Sequence, residues 1–247
     1  MADLLYGRNA VREALRAGRR SLNRLLVSAG AQETGTLAEI VRLAEAAGVP
    51  VERVDRHDLD ARLRQANHQG VALECGDYPY AELEDILALA EAREEAPLIL
   101  ILDHLQDPQN VGTLLRTAEA VGAHGVVLPG RRAAEVTPAV VNASAGATEH
   151  VHIAVVSNIA QTIEQLQRLG VWVVGLEDDE RAQIYDEADL NIPLALVVGA
   201  EGAGLARLTR ERCDFLIKLP QAGKIASLNA AVAGSIALYH AWRARNL

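Results

Sequence analysis

Three stretches of the chain place polar side chains next to proline or glycine, directly after an apolar run. The first covers residues 103–112, supplies Asn110, and is followed by Arg116. An amide and a guanidinium are strong hydrogen-bonding groups, so this stretch is a candidate for ligand binding or catalysis. In the structural alternative, Asn110 caps a helix and Arg116 is an exposed helical residue.

Glycine dominates the second stretch, which runs from Gly199 to Gly204 and contains one carboxylate, Glu201. Glycines without a Cβ atom allow a ligand to approach the backbone closely. The spacing GxxGxG matches neither the dinucleotide fingerprint nor a Walker phosphate loop. The alternative is a flexible turn in which Glu201 caps the next helix.

The third stretch runs from Pro220 to Ala231 and offers Ser227 and Asn229 close to the start of a predicted helix. Serine is a common helix N-cap, so Ser227 also has a structural alternative. The occurrence of three such stretches in one chain favours a functional site over three unrelated turns.

Apolar periodicity predicts the elements that position these residues. From Pro97 onward, six short runs are apolar at nearly every position, as expected for strands buried on both faces of a parallel sheet. The runs are Leu98–Leu102, Gly125–Leu128, Val151–Val155, Val171–Leu176, Leu194–Val198 and Phe215–Leu219. Helices are predicted near residues 111–122, 157–169, 205–212 and 229–245. In such a doubly wound α/β domain, ligands bind beyond the C-terminal ends of the strands, where all three stretches lie.

The chain before this domain divides into two further segments. Residues 1–76 alternate between helical and extended patterns, beginning with a predicted helix over residues 5–17, and are interpreted as a small α/β domain. Residues 77–96 contain seven acidic residues and one arginine. We interpret them as an acidic, partly helical linker that adds little to any core.

Composition excludes several protein classes. In 247 residues, 50% are hydrophobic and 23% are charged, which is typical of a globular protein and not of a disordered or collagen-like chain. No apolar run approaches the ~18 residues of a membrane helix, so we expect a soluble protein with no membrane partner. The two cysteines, Cys75 and Cys213, lack the spacing of a disulfide framework or a zinc site, which favours the cytoplasm. The scattered histidines predict no metal site.

Charge is unevenly distributed along the chain, whose formal net charge is −9. The first 24 residues contain six arginines and only two acids, Asp3 and Glu13. This local excess could form a phosphate-facing patch, or it could be a solvated helix face.

Three sequence patterns resemble the motifs of the SpoU/TrmH family of RNA ribose 2'-O-methyltransferases, within the SPOUT class. They are N-x-G-x-x-x-R at 110–116, G-A-E-G at 199–202 and L-P-x-A-G-x-x-x-S-L-N at 219–229. Residues 144–149 are similar to a small-residue segment of the same family. Residues 6–11 and 68–72 resemble the small RNA-binding domain, akin to ribosomal protein L30e, that precedes the catalytic domain. Among the subgroups, the chain most resembles the bacterial enzymes that methylate a guanosine ribose in 23S rRNA.

This resemblance implies a fold, a cofactor and partners. It implies a deep trefoil knot in a parallel-sheet SPOUT domain from residue 97 to 247, preceded by the L30e-like domain at 1–76 and the linker at 77–96. It also implies S-adenosylmethionine as methyl donor, held largely by backbone groups of Gly199, Leu219 and Leu228. The implied partners are 23S rRNA and a second copy of the chain. We expect the homodimer contact to involve the last helix, which carries Ile236, Leu238, Tyr239 and Trp242.

The resemblance also assigns catalytic roles. Arg116 activates the ribose hydroxyl and Asn110 orients it, while Glu201 shapes the substrate side. Ser227 and Asn229 position the ribose, the phosphate or neighbouring side chains. Because arginine titrates above about pH 12, we favour a charged Arg116 that stabilises the developing alkoxide, with phosphate or water as the proton acceptor.

The chain departs from the family pattern at Gln221, where a methionine is usual, and at Ala230–Ala231. A tRNA 2'-O-methyltransferase of the same family is one alternative function. A non-catalytic RNA-binding ribosome-assembly factor is another. Loss of a catalytic polar residue would indicate such a factor, but Asn110, Arg116, Ser227 and Asn229 are all present. A nucleotide-dependent dehydrogenase is disfavoured by the missing dinucleotide fingerprint.

Overall fold

The computed structural model describes residues 3–130, 135–224 and 227–246. Its strands are β1 Asp3–Tyr6, β2 Leu22–Ser28, β3 Val51–Val54, β4 Val71–Cys75, β5 Leu98–Asp103, β6 Gly125–Pro129, β7 Ile153–Val156, β8 Trp172–Leu176, β9 Gln183–Ile184, β10 Leu194–Gly199 and β11 Phe215–Lys218. Its α-helices are α1 Arg8–Ala17, α2 Thr36–Ala46, α3 Arg56–Arg62, α4 Leu83–Ala92, α5 Pro108–Ala120, α6 Pro138–Ala143, α7 Ile159–Arg168, α8 Arg207–Arg212 and α9 Ala230–Asn246.

Two compact units are formed by these elements. The first unit comprises Met1–Pro79 together with Val136–His150, and the second comprises Tyr80–Glu135 together with Val151–Leu247. The segment from Val136 to His150, which the sequence analysis placed in the second domain, therefore folds within the first unit.

The first unit is built on a four-stranded sheet in the order β1-β4-β2-β3. Strand β4 pairs antiparallel with β1 and β2, whereas β2 pairs parallel with β3. Helix α1 buries Ala10, Val11, Ala14 and Leu15, the stripe expected from sequence. The predicted helix began too early, because residues 3–6 form β1 and Gly7, at φ +86°, separates the strand from the helix.

Polar contacts bind the later segment into the first unit. Arg20 donates to Glu149 at 2.8 Å, and both side chains are fully buried. Asn142 donates its amide to the Tyr6 carbonyl at 2.9 Å, and the Tyr78 hydroxyl donates to the Thr148 carbonyl at 2.7 Å. Leaving one partner of a buried ion pair uncompensated is costly, so the Arg20–Glu149 pair ties this segment firmly to the unit.

The second unit contains a seven-stranded sheet in the order β7-β6-β5-β10-β8-β11-β9, with parallel pairing at every interface between neighbours. The predicted parallel α/β sheet is thus confirmed. All residues of β5 and β10 are buried, as their continuous apolar character predicts. Asp103 and Gly199 are paired at the ends of these two central strands, so the loops that follow them begin side by side.

Helix α4 contributes more to the second unit than its acidic composition suggests. Leu83 and Ile86 belong to the hydrophobic core, and Ala90 is also buried. These residues recur three and four positions apart, so they share one helix face while the acids occupy the exposed faces. The expectation that residues 77–96 add little to the core was wrong for this reason.

Helix α9 closes the second unit by packing on α5. A Cβ atom on Gly234 would lie 2.7 Å from Leu114 Cδ2, so glycine allows the two helices to approach closely. The Arg245 guanidinium donates to the carbonyls of Ala96 and Pro97 at 2.7 and 2.8 Å. Within the described residues, no helix has both the length and the apolar character needed to cross a bilayer.

Candidate active site

The first polar loop begins helix α5 in a way that leaves Asn110 available. Asp107 is the N-cap, because its carboxylate accepts from the Gln109 amide at 3.1 Å. Pro108 occupies the first helical turn, a position that needs no N–H donor. Asn110 therefore lies inside the helix, buried to 7% exposure, and the capping alternative for this residue was wrong.

Asn229 connects the third loop to the other two. Its Oδ1 atom caps α9 by accepting from the amides of Ala231 and Val232 at 3.0 and 3.1 Å. Its Nδ2 atom donates to Asn110 Oδ1 at 2.9 Å and also to the Glu201 carboxylate. Three predicted site residues from three separate loops are thus joined by one side chain, which we call the Asn110–Asn229–Glu201 cluster.

The second loop is a tight turn whose glycines are sterically required. The amides of Ala200 and Gly204 each donate to the other's carbonyl, at 3.1 and 2.9 Å. A Cβ atom on Gly199 would lie 2.3 Å from the Gly204 backbone. Gly204 itself has a φ of +65°, in the left-handed region that favours glycine. The turn holds Glu201 on its exposed side, and Glu201 does not cap α8, whose N-cap is Ala206.

A cavity of about 390 Å³ lies between these loops in the second unit. Every predicted cofactor-binding residue and three of the predicted catalytic residues line it: Gly199, Glu201, Leu219, Ser227, Leu228 and Asn229. Ser227 is exposed at the cavity and leaves the capping of α9 to Asn229. Gln221, the departure from the family pattern, also lines the cavity.

Glu177 is a cavity residue that the sequence analysis missed. It follows β8 directly and accepts a hydrogen bond from the Leu205 amide at 2.8 Å. A Cβ atom on Gly204 would lie 2.5 Å from the Glu177 carboxylate, so this carboxylate fits closely against the glycine turn. The signal in the sequence is a run of four acidic residues, 177–180, directly after an apolar run.

A second cavity, of about 500 Å³, shares Ala200 and Glu201 with the first and is also lined by Asn110 and His104. His104 was not singled out from sequence. Its Nδ1 atom lies 2.5 Å from Asp103 Oδ1, and Asp103 is fully buried. The site therefore includes a histidine–carboxylate pair in addition to the predicted residues.

Arg116 lies apart from these groups. It is exposed on α5, and among the described residues it has no hydrogen bond or ion pair and lines none of the cavities described for this unit. The next residue, Thr117, contacts Ser235 of α9 through hydroxyl oxygens 2.8 Å apart. A single copy of the chain does not bring the Arg116 side chain into the cluster.

The arginines of the first 24 residues are largely paired within the first unit. Arg16 bonds Glu13 and Glu39, which raise the pKa of its guanidinium. Arg24 bonds Glu74 and Glu52, and Arg20 is buried against Glu149. These ion pairs offset part of the local excess of positive charge.

Two other types of chemistry are not supported at this site. Burial raises the pKa of Cys75 to about 11 and that of Cys213 to about 12, so both thiols stay protonated near neutral pH and neither is an activated nucleophile. The part of the chain that the structure describes contains no group of three or more potential metal ligands.

Family models match both parts of the sequence. Residues 97–239 match the SpoU rRNA Methylase family, and residues 4–81 match the RNA 2'-O ribose methyltransferase substrate binding family. The chain belongs to the SpoU rRNA methylase family. The first match contains all three loops of the candidate site, so the residues of the Asn110–Asn229–Glu201 cluster all lie within the part of the chain that matches the SpoU family.

Relatives of this SpoU family member extend over the whole chain. YacO of Bacillus subtilis, assigned to the TrmH family of tRNA/rRNA methyltransferases, is 45% identical over 244 residues, covering 99% of this chain and 96% of YacO. The SpoU methyltransferase AviRb from Streptomyces viridochromogenes, solved with AdoMet, has a TM-score of 0.79 and 26% identity, covering 98% of this chain and 90% of AviRb. The AdoMet-bound rRNA methyltransferase from Sinorhizobium meliloti has a TM-score of 0.77 and 27% identity, with coverage of 98% and 87%.

The solved TrmH/SpoU tRNA modifying enzyme from A. aeolicus aligns over a smaller part of the chain. It has a TM-score of 0.56 and 28% identity, and it covers 66% of this chain and 85% of its own. This SpoU member is thus an RNA 2'-O-methyltransferase by family, and YacO and AviRb align with nearly all of its length.

Proposed function

We propose that the chain methylates the ribose 2'-hydroxyl of a guanosine in 23S rRNA, with S-adenosylmethionine as methyl donor. The observation that carries this proposal is the hydrogen bonding of Asn229 to both Asn110 and Glu201 beside the 390 Å³ cavity. The proposal that these groups act on a ribose rests on the family and on this arrangement of neutral amides and a carboxylate, which suits hydroxyl recognition.

The cavity fits S-adenosylmethionine. Leu219 and Leu228 offer apolar side chains for an adenine ring, and their backbone amides are potential donors. A Cβ atom on Gly199 would collide with the Gly204 backbone, so this glycine lets the turn close beside the cavity. The carboxylate of Glu177 supplies an acceptor. When bound there, the cofactor supplies an electrophilic methyl group on a sulfonium sulfur.

The chain's own residues then orient the nucleophile. Asn110 is held by Asn229, so its amide presents a fixed set of hydrogen-bonding atoms to the ribose. Holding a nucleophile in line with its target can lower a barrier by about 7 to 11 kcal/mol. Ser227 is exposed at the cavity and can contact the ribose or an adjacent phosphate. A protonated Arg116 would bind phosphate and stabilise the developing alkoxide.

Arg116 reaches the reacting ribose only if a second copy of the chain completes the site. An exposed apolar stripe on α9 supports such a homodimer: Val232, Ile236, Tyr239 and Trp242 are 48%, 39%, 50% and 41% exposed. Leu238, which we expected in the contact, is fully buried in its own chain, because it lies on the helix face opposite the stripe. We propose that the stripe pairs with its equivalent in a second copy.

A deep trefoil knot in the C-terminal part of the chain is proposed on the same basis. The loop after β11 returns to Asn229, beside the loops after β5 and β10, before α9 packs on α5. Such a convergence of late loops on early ones is what a knotted cofactor site requires. The cytoplasmic location expected from the free cysteines is consistent with an rRNA substrate and is part of the proposal.

The alternative substrate is tRNA. Relatives solved as rRNA methyltransferases align with 98% of this chain, whereas the A. aeolicus tRNA enzyme aligns with 66% of it. This chain also has a substrate-binding match at residues 4–81, and together with the fuller alignment it favours rRNA. A non-catalytic assembly factor is disfavoured because the Asn110–Asn229–Glu201 cluster is intact.

Calorimetry with S-adenosylmethionine, followed by nuclease mapping of the methylated nucleotide in rRNA from a deletion strain, tests the proposal. We expect cofactor binding to the purified chain and the loss of one 2'-O-methylguanosine from 23S rRNA in the deletion strain. If the deletion strain instead loses a tRNA methylation and its rRNA is unchanged, the substrate is tRNA and not rRNA. Absence of cofactor binding would overturn the proposed activity.

A further inference from the structure

His104 stands at the C-terminal end of the central strand β5, where it is held in an uncommon conformation. Its φ is +63°, in the left-handed region that few non-glycine residues adopt. Backbone conformations of this kind are energetically unfavourable and often occur at functional sites. The fold therefore maintains a histidine at this position at some cost in stability.

The ring of His104 is oriented by Asp103. The Asp103 carboxylate is fully buried and accepts from the Ala206 amide through Oδ2 at 2.8 Å, while its Oδ1 lies 2.5 Å from His104 Nδ1. With Nδ1–H donating to this carboxylate, the lone pair of a neutral imidazole is on Nε2. Within the described part of the chain, Nε2 has no hydrogen-bond partner.

The cavity beside this ring is next to the proposed methyl-transfer site. It is lined by His104, Asn110 and Glu201, and it shares Ala200 and Glu201 with the cofactor cavity. Asp103 and Gly199 are paired at the ends of neighbouring strands. An RNA ribose that is oriented by Asn110 would therefore enter a cavity that also contains the imidazole.

We infer that His104, oriented by Asp103, accepts the proton of the ribose 2'-hydroxyl during methyl transfer. This inference rests on the proposed function and supplies the proton acceptor that a protonated Arg116 cannot provide. The ribose oxygen forms a bond to the methyl carbon while the sulfur–methyl bond breaks and its electron pair stays on sulfur. The hydroxyl proton passes to His104 Nε2 and then to water, and Asp103 stabilises the transient imidazolium.

Several ionisable groups face His104 and influence its protonation. Asp103 bonds it directly, and Asp107 and Glu201 line the same cavity. The other cavity that His104 lines contains no further ionisable side chain among its described lining residues. All three neighbours are acidic side chains.

The test uses full-length chain, radiolabelled S-adenosylmethionine and unmodified 23S rRNA transcript under single-turnover conditions. His104→Asn keeps a residue that tolerates left-handed φ but removes the proton acceptor. His104→Gly relieves the backbone strain and leaves space for free imidazole. His240→Asn, a histidine of α9 that lines none of the cavities described, is the matched control.

We expect both His104 variants to lower the single-turnover rate about 100-fold, the smaller end of the contribution of general base catalysis. Added imidazole should restore a large part of the rate in His104→Gly but not in His104→Asn. The rate of the unmodified chain should rise with pH, because only neutral imidazole accepts a proton, and His104→Asn should lose this dependence. Cofactor affinity by calorimetry and rRNA affinity by filter binding should stay within about twofold.

An unchanged rate and pH profile in His104→Asn would overturn the inference. A reduced rate with the same pH profile and no imidazole rescue would also overturn it, because that pattern is expected of a purely structural residue. If the unmodified chain binds the cofactor but methylates neither rRNA nor tRNA, the proposed function fails together with the inference. If the unmodified chain is active and the His104 variants have the same rate, the inference fails while the proposed function stands.

Discussion

At the residue scale, Asn229 has two separable functions. Its Oδ1 atom caps α9, and its Nδ2 atom links Asn110 to Glu201. Asn229→Ser keeps a capping oxygen but loses the amide donor, so we expect methyl transfer to fall at least 10-fold with little change in the free energy of unfolding. Asn229→Ala should lose the cap as well and cost about 1 kcal/mol. Single-turnover assays and urea unfolding separate the two effects, and full activity of Asn229→Ser would contradict the role of the cluster.

Arg116 gives a complementary prediction at the same scale. It is exposed and has no ion pair or hydrogen bond among the described residues, so Arg116→Ala should change the free energy of unfolding by no more than about 0.5 kcal/mol. Methyl transfer should nevertheless be abolished while calorimetric cofactor affinity is retained. Arg116→Lys should also fail, because an ammonium cannot form a planar paired contact. Near-normal turnover in either variant would exclude a catalytic role.

At the element scale, His124 joins the start of β6 to β5. Its Nδ1 atom accepts from the Leu98 amide at 2.9 Å, and burial lowers the pKa of the imidazole. The unfolded chain therefore binds the proton more readily than the folded chain does, and stability falls as pH drops below about 6.5. Protonation at Nδ1 would also break the bond to Leu98.

Urea unfolding at pH 5, 6 and 8 checks this prediction. The unfolding free energy of the unmodified chain should decrease between pH 8 and pH 5 by more than that of His124→Asn. The variant retains a polar acceptor but does not titrate in this range. Identical pH dependence of the two proteins would show that His124 contributes nothing to it.

At the scale of the whole molecule, the stripe on α9 and the isolation of Arg116 point to the same requirement. If the stripe forms the dimer, Ile236→Glu places a charge in an apolar contact and should yield a folded monomer in sedimentation experiments. Methyl transfer should be lost with the dimer, because Arg116 of one copy can then no longer complete the active site of the other copy. Gln161→Glu, an exposed charge change on α7, is the matched control and should stay dimeric. An active monomer would exclude the shared site.

The parallel sheet could be predicted from sequence alone because its signal is local. Strands such as β5 and β10 are apolar at nearly every position, and this pattern is compatible only with burial on both faces. The positions of Asn110, Glu201 and Asn229 after such runs likewise follow from the sequence, as does the family, since its motifs are short and contiguous.

Tertiary structure alone decided which distant residues meet. Asn229 contacts Asn110 across 119 positions because it stands at the start of α9, which packs on α5, and no local pattern encodes that packing. Long-range contacts likewise neutralise Arg20 with Glu149, place residues 136–150 in the first unit, and bring His104 to a cavity that Glu201 also lines. Local periodicity reflects burial of each element separately, whereas these contacts depend on how strands and loops from different parts of the chain are arranged together.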